Sequence, residues 1–328
     1  MKIHRVKIRE RKVKGKIERV FEFHDEHHKK ITSKEVLTYA GKIVIPPAWN
    51  HVMIYYSKQP RYYKVLVTGI DEAGRKQYIY APWWIKKAKN AKFCQMIEFS
   101  KNIPKIESKI NTTLQNQRFT KNKIIALIMK IIIHCNFRIG NDKYVNLYKS
   151  YGVSTLESRH VKINGTKISI KFIGKKGVLN ECVIEDKVVA DNLKKLTAGK
   201  KMGDKIFLYA ENKQHHFIKH TEINDWLKEI NPYFTSKMFR IYQANMILIK
   251  RLRDVDGRQL SEAKRKKHTV QVYKEVAEII HNTPAISKKD YCDSEIADLY
   301  IEKPRAWNNR FGSGSERVSF INWLKAKC

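Results

Sequence analysis

H-V-K-I-N-G-T-K-I-S-I-K-F-I-G-K-K-G-V-L-N-E-C-V-I, residues 160–184, decides the fold. Val161-Lys162-Ile163 runs into Asn164-Gly165, a dipeptide suited to the positive φ angles of a two-residue hairpin turn. Ile168, Ile170 and Phe172 then alternate with polar residues, the period of a half-buried strand. Gly174-Lys175-Lys176-Gly177 makes a second turn, and Leu179–Ile184 returns. The stretch reads as a three-stranded meander with a lysine at its second tip. The segments around it read as helices: Ile85–Phe99, Thr113–Cys135, Leu147–Leu156, Ile223–Ile230 and Val270–Ile280. The centre of the second, Ile124–Ile133, is apolar almost all round, as a buried helix is. A mainly-α domain with a β insert follows, from residue 85 on.

Upstream the texture differs. The first forty residues are charged, with basic and apolar residues alternating at the start. Ile43-Val44-Ile45 stops at Pro46-Pro47 and is at most a short strand. His51–Tyr56, Tyr63–Thr68 and Gln77–Tyr80 are β-branched and aromatic, as strands prefer, and Asp71-Glu72-Ala73-Gly74 is a turn. Residues 1–84 therefore read as a small, mostly-β domain. At the other end, Gly312-Ser313-Gly314-Ser315 is a flexible break that leaves Phe320–Lys327 as a terminal helix. The expectation is an α+β chain with domains at 1–84 and 85–311 and a tail at 312–328. No fixed-period repeat is evident.

Charge is the compositional outlier. In 328 residues, 66 Lys and Arg stand against 32 Asp and Glu, a net +34. Such a surface repels itself unless a polyanion is near, and nucleic acid is the leading partner. An anionic membrane is the rival, but no run of 18 apolar residues occurs, and Lys130 interrupts the closest, Ile124–Cys135. Met1–Lys16 is basic without the apolar core of a secretory signal, which suggests a cytosolic or nucleoprotein setting. The cysteines at 94, 135, 182, 292 and 328 are odd in number and scattered, with no C-x-x-C. Reduced thiols are the expectation, not a zinc site or a disulfide framework. His24-Asp25-Glu26-His27-His28 has the residue types of a metal site but suits no common ligand spacing, so it reads as a solvated polar face. No phosphate-binding glycine loop, dinucleotide fingerprint or H-E-x-x-H is present, so neither metal nor cofactor is expected.

A basic protein that acts on DNA without a metal must stabilise phosphoryl charge with side chains. Arginine suits this, because its fork grips two phosphate oxygens and it stays charged. Arg138 in C-N-F-R-I-G-N-D-K-Y and Arg240 in T-S-K-M-F-R-I-Y each sit among hydrophobic residues. Taken singly, either is equally a surface arginine with a buried stem. Near the C-terminus, H-N-T-P-A-I-S-K-K-D-Y, residues 281–291, places Tyr291 on the first turns of a helix. Thr283-Pro284 has the look of its start, and Ser287–Asp290 of a second capping pattern.

These pieces together resemble the small type IB DNA topoisomerases of poxviruses and bacteria. The resemblance rests on I-P-P-A-W-N-H-V and G-I-D-E-A-G-R-K-Q-Y-I-Y in the first domain. It continues through R-I-G-N-D-K-Y, S-Y-G-V-S-T-L-E-S-R-H-V, K-F-I-G-K-K-G, S-K-M-F-R and N-T-P-A-I-S-K-K-D-Y in the second. Each is weak alone; their order and gaps are specific. The resemblance implies a clamp of two lobes around duplex DNA, and a monomer that uses neither nucleotide nor metal. It also implies a site in which Tyr291 attacks a phosphodiester to form a 3′-phosphotyrosyl bond. Arg138 and Arg240 would hold the non-bridging oxygens, and Lys175 at the hairpin tip would protonate the departing 5′ oxygen. The fifth position is histidine in the poxvirus enzymes, and the register here puts Asn282 there. An amide donates to a phosphate oxygen but cannot serve as a base, and the adjacent His281 is the competing candidate.

The same resemblance marks Gln77, Tyr78, Tyr80, Lys143, Tyr144, Lys237 and Lys288 as DNA contacts; a basic, solvated surface is the alternative for each. Arg159-His160 is taken as structural. Viral members of the family act in cytoplasmic replication sites or virions and bacterial ones on the nucleoid, and the Lys-, Ile- and Asn-rich composition is compatible with a large DNA virus. A tyrosine recombinase would share the catalytic domain, but typically carries His-x-x-Arg where this chain has Lys237-x-x-Arg240. A non-catalytic basic DNA-binding protein would leave the ordered set of site residues as coincidence.

Overall fold

Alternating residues in the charged N-terminal segment build a ribbon that its charge had concealed. The computed structural model describes residues 1–13, 16–59, 61–212 and 214–328. The chain divides into two units, Met1–Lys92 and Phe93–Cys328. In the first, β1 (Lys2–Val13) and β2 (Lys16–His24) pair antiparallel along their length. They continue into β3 (Asn50–Tyr55), β4 (Val65–Ile70) and β5 (Lys76–Tyr80), in the order β2-β1-β3-β4-β5. Ile3, Val52, Ile54 and Val67 are buried with Val36 and Ala40 of α1 (Lys34–Gly41). Ile43–Ile45 forms no strand; the carbonyls of Ile45 and Pro46 instead accept from the Arg5 guanidinium at 3.4 and 3.1 Å. The expected boundary at 84/85 falls in the first turn of α2 (Pro82–Leu114).

The second unit is built around α3 (Lys121–Cys135), whose residues Ile124–Met129, Ile131 and Ile132 are all buried. The helix expected from Thr113 onward is interrupted. α2 ends at Leu114, and Thr120 caps α3 by accepting from the Lys123 amide. The helix expected over 147–156 is also displaced. α4 spans Asp142–Tyr148, Lys149 turns the chain at φ +48°, and Val153–Thr155 is a single tight turn. The meander forms as read: β6 (Val161–Asn164), β7 (Lys167–Ile173) and β8 (Leu179–Glu185), with Ile168 opposite both Ile163 and Ile184. The remaining elements are α5 (Lys187–Thr197), β9 (Leu208–Glu211), β10 (Gln214–Phe217), α6 (His220–Lys228), α7 (Ser236–Arg253), α8 (Glu262–Ile279), α9 (Pro284–Ile286), α10 (Ser294–Glu302), α11 (Pro304–Phe311) and α12 (Glu316–Lys325).

The Gly312–Ser315 break is tied down. Arg253 donates to the carbonyls of Phe311, Ser313 and Gly314 and pairs with Glu316 at 2.7 Å. Phe320 and Leu324 of α12 are fully buried in the core of the second unit.

The cysteines correct the sequence reading. Cys94 bonds to Cys328 and Cys135 to Cys182, leaving Cys292 as a buried thiol outside any disulfide. The partners are 234 and 47 positions apart, a proximity created by tertiary packing that no local spacing motif records. In the His24–His28 stretch, the Asp25 carboxylate accepts from the amides of His27 and Lys29 and so closes a turn.

Candidate active site

The end of α3 sets the first part of the site. Asn136 follows Cys135 at φ +55°, a left-handed conformation that asparagine tolerates better than most residues. Its carbonyl thereby becomes free of the helix and accepts from Arg240 Nε at 2.8 Å. Two residues later Arg138 enters a loop where two glycines allow close approach. A Cβ on Gly140 would lie 2.2 Å from Thr155 Oγ1, and one on Gly152 would lie 2.6 Å from the Gly140 amide nitrogen. The Val153 amide donates to the Arg138 carbonyl at 2.9 Å, and the Tyr151 amide to Ile173 at the end of β7, also at 2.9 Å. The arginine loop and the lysine hairpin are thus coupled through residues 151–155. At that hairpin tip Gly174 leaves room for the Asn180 amide, which a Cβ would meet at 2.4 Å.

Arg240, on the apolar face of α7, is 3% exposed and engages each of its three guanidinium nitrogens with a fixed partner. Nε takes Asn136, Nη2 takes the Ile280 carbonyl, and Nη1 donates to the Tyr291 hydroxyl at 2.7 Å. Arg138 Nη1 donates to the next carbonyl, His281, at 2.9 Å. Consecutive carbonyls after α8 therefore hold both arginines. The Lys237 ammonium, one turn before Arg240, lies 5.2 Å above the Tyr291 ring.

Tyr291 closes a wider π turn, Ser287–Tyr291, which follows the single α turn of α9. It therefore ends this helical segment, and the expected caps are absent. Thr283 makes no side-chain cap, and Ser287 is fully buried inside the turn. Asn245 of α7, missed in the sequence, fixes the register. Its Nδ2 donates to the Tyr291 carbonyl at 3.0 Å and its Oδ1 accepts from the Asp293 amide at 2.8 Å. An asparagine inside the apolar run Ala244–Ile249 is the signal the sequence offers.

Electrostatics favour an ionisable phenol. Burial pushes the Tyr291 hydroxyl up, but Arg240, Arg138 and Lys237 together outweigh it, and it sits below the ordinary tyrosine value. Burial, with Arg138 nearby, brings the Arg240 guanidinium down to about 10.

The other expected residues divide. Lys175 is exposed and shares a pocket of about 130 Å³ with Arg138, Gly140, Tyr144 and Tyr151. Asn282 makes no side-chain hydrogen bond to Tyr291 or either arginine among the described residues. Its Nδ2 is buried without a partner, and it lines a separate pocket of about 670 Å³ with Asn136, Cys182 and His281. The His281 ring turns to the end of α3, where Nε2 lies 3.0 Å from the Cys135 carbonyl and the ring packs 4.8 Å from that of Phe137. Burial first, then the two arginines, hold it below the usual histidine value, so the neutral ring donates to that carbonyl. His160 accepts from the Glu157 amide and packs on Tyr151, a local structural role.

Among the expected DNA contacts, Lys143, Tyr144, Lys237 and Lys288 are exposed. In the first unit Tyr78 and Tyr80 stack on the exposed face of β5, 5.9 Å apart. Gln77 points to the other face, where its amide donates to Asp71 at 2.8 Å.

Comparison with known proteins gives the family. The pattern of the eukaryotic DNA topoisomerase I catalytic core matches residues 81–308. A DNA topoisomerase 1B of Acanthamoeba polyphaga mimivirus is 30% identical over 292 residues, 86% of this chain and 84% of that protein. The chain belongs to the type IB DNA topoisomerase family. Poxvirus relatives extend the match: DNA topoisomerase I of monkeypox virus and DNA topoisomerase 1B of vaccinia virus are each 26% identical over 266 residues, 80% of this chain and 81% of theirs. The chain is an enzyme of that type.

Proposed function

We propose that this chain relaxes supercoiled duplex DNA through a covalent 3′-phosphotyrosyl intermediate on Tyr291. The phenol, lowered by its cationic neighbours, loses its proton to solvent and attacks the phosphorus. As the Tyr291 O–P bond forms, the P–O5′ bond breaks, and Lys175 supplies the proton that makes the leaving group a 5′-hydroxyl. Arg138 and Arg240 hold the non-bridging oxygens while charge builds on them. Asn282, whose Nδ2 has no internal partner, donates to the same phosphate and takes no proton. The phosphotyrosyl diester retains the energy of the broken bond, so the 5′-hydroxyl rejoins by the reverse path without ATP. The cut strand swivels in between.

The observation that carries this reading is the 2.7 Å bond from the buried Arg240 to the Tyr291 hydroxyl, beside Arg138. A buried phenol oxygen bonded to a fixed guanidinium supports reading Tyr291 as the nucleophile and the arginines as phosphate-gripping cations in one preorganised cluster. In this reading residues 1–84 bind DNA and 85–311 carry the chemistry, and one protomer engages one duplex as a clamp. The viral relatives favour a viral source, with action in a cytoplasmic replication site or virion. The test is plasmid relaxation. Both positively and negatively supercoiled plasmid should relax with EDTA present and ATP absent; unchanged topology at low salt would overturn the proposal. Exchange of strands between two sites would favour a recombinase instead.

A further inference from the structure

The reading that residues 1–84 bind DNA, on which this inference rests, names no contact in the N-terminal ribbon β1–β2. β1 meets β3 only over Lys2–His4, opposite Tyr55–Met53. From Arg9 to Val13 its paired partner is β2, from Lys16 to Val20. Two strands alone in water are marginally stable, so an extension of this length is poorly explained as scaffold. Its root is fixed firmly. Arg5 donates to the carbonyls of Ile45, Pro46 and Trp49, the last at 2.7 Å, and its guanidinium lies 4.1 Å over the Phe21 ring. Beyond that root, between Ile8 and Val20, six residues are basic and two acidic. Arg11 pairs with Glu18 at 2.8 Å and Arg19 with Glu10 at 2.9 Å. Arg9 and Lys12 have no anionic partner among the described residues. Ile8, Ile17 and Val20 are exposed at 52, 56 and 44%.

The geometry fits one class of partner. Arg9 and Lys12 are three positions apart on one strand, so they point to opposite faces of the ribbon. A two-stranded ribbon fits the major groove of duplex DNA, whose two walls are both lined by phosphates. Charge protecting a free strand edge from aggregation is the simpler reading of a basic strand. It does not explain uncompensated cations on both faces beside exposed apolar side chains.

We infer that the β1–β2 ribbon is a DNA-binding arm that inserts between the phosphate walls of a duplex groove, with Arg9 and Lys12 each meeting a phosphate. The inference concerns binding away from the chemistry, so it is tested on the full chain carrying Tyr291→Phe, which binds without cutting. Duplex affinity is measured by fluorescence anisotropy between 50 and 200 mM KCl. Each lost phosphate contact lowers the slope of log K against log salt by about 0.9. Arg9→Gln with Lys12→Gln should therefore lower it by about 2, which cuts the affinity lost across that salt range by roughly tenfold. Arg9→Lys with Lys12→Arg keeps both charges and should keep the slope. An unchanged slope in the double-glutamine protein overturns the inference, as does an equal loss in the charge-preserving one. Failure of the family activity would appear separately, as no plasmid relaxation by the unaltered chain.

Discussion

Arg240 joins stability and chemistry in one side chain, and its replacement separates them. Arg240→Ala removes the Nη1 donor to Tyr291 and strands the carbonyls of Asn136 and Ile280 in the core. An unsatisfied buried group costs about 1–3 kcal/mol, so two put the loss of stability at roughly 2–6 kcal/mol. Arg240→Lys keeps the charge but has no fork, and recovers only part of that. For the chemistry, loss of one preorganised donor costs about 10²–10³ in rate, and an arginine acting on a transferring phosphoryl group can reach 10³–10⁵. Single-turnover cleavage of a short duplex should therefore slow by about 10³-fold in Arg240→Ala and at least 10²-fold in Arg240→Lys. The pH profile carries a signature that a folding defect does not imitate. Arg240 helps hold the Tyr291 phenol below its ordinary value, so cleavage rises with pH toward that lowered value. Without Arg240 the phenol titrates later, and the rising limb must move to higher pH. A fully folded Arg240→Ala protein that cleaves within fivefold of the parent, or whose limb does not move upward, would refute this account of the site.

Further expectations follow from the same geometry. Lys175→Ala should slow cleavage by roughly 10²–10⁴-fold on an ordinary strand, yet little when the 5′ bridging oxygen is replaced by sulfur, which leaves without a proton; equal slowing on both substrates removes Lys175 from the acid role. His281 is neutral and folded below its usual value, so protonation favours the unfolded chain. Stability is then fully present above about pH 6.5 and falls as pH drops below it, and His281→Asn, suited to the φ of +50°, should flatten that acid slope in urea titrations. Gly140→Ala drives a Cβ against Thr155 and should cost about 1–3 kcal/mol by the same assay, with slower cleavage because Arg138 shifts. Cys182→Ser opens a 47-residue link and should cost roughly 4 kcal/mol if restriction of the unfolded chain is its main effect; an unchanged thermal midpoint would argue against the Cys135 bond.

The reach of the sequence follows from the range of each interaction. The meander was legible because its strand period and turn residues are local, as were the buried centre of α3 and the three later strands of the first unit. Order along the chain also singled out Tyr291, Arg138 and Arg240, which the fold brings into one cluster, and Lys175 beside Arg138. What escaped is what sequence does not write locally. The carbonyls of Asn136, Ile280 and His281 that aim the arginines are backbone groups, exposed by left-handed turns at 136 and 281. The two disulfides join residues brought together only by packing. The capping pattern around Ser287 misled because a wide turn, held by Asn245 from another helix, draws that hydroxyl inside. Register alone marks Asn282 as the fifth residue; in the structure its Nδ2 is buried without a partner, and it lines a different pocket from Arg138 and Lys175.

The central claim is that Tyr291 is the nucleophile. Trapping the covalent complex on a duplex, digesting it and sequencing the adducted peptide by mass spectrometry tests that most directly. The account predicts a 3′-phosphate of the cut strand on Tyr291 and no adduct from the Tyr291→Phe protein, which still binds DNA. An adduct on any other residue, on a 5′ end, or persisting in Tyr291→Phe would contradict it.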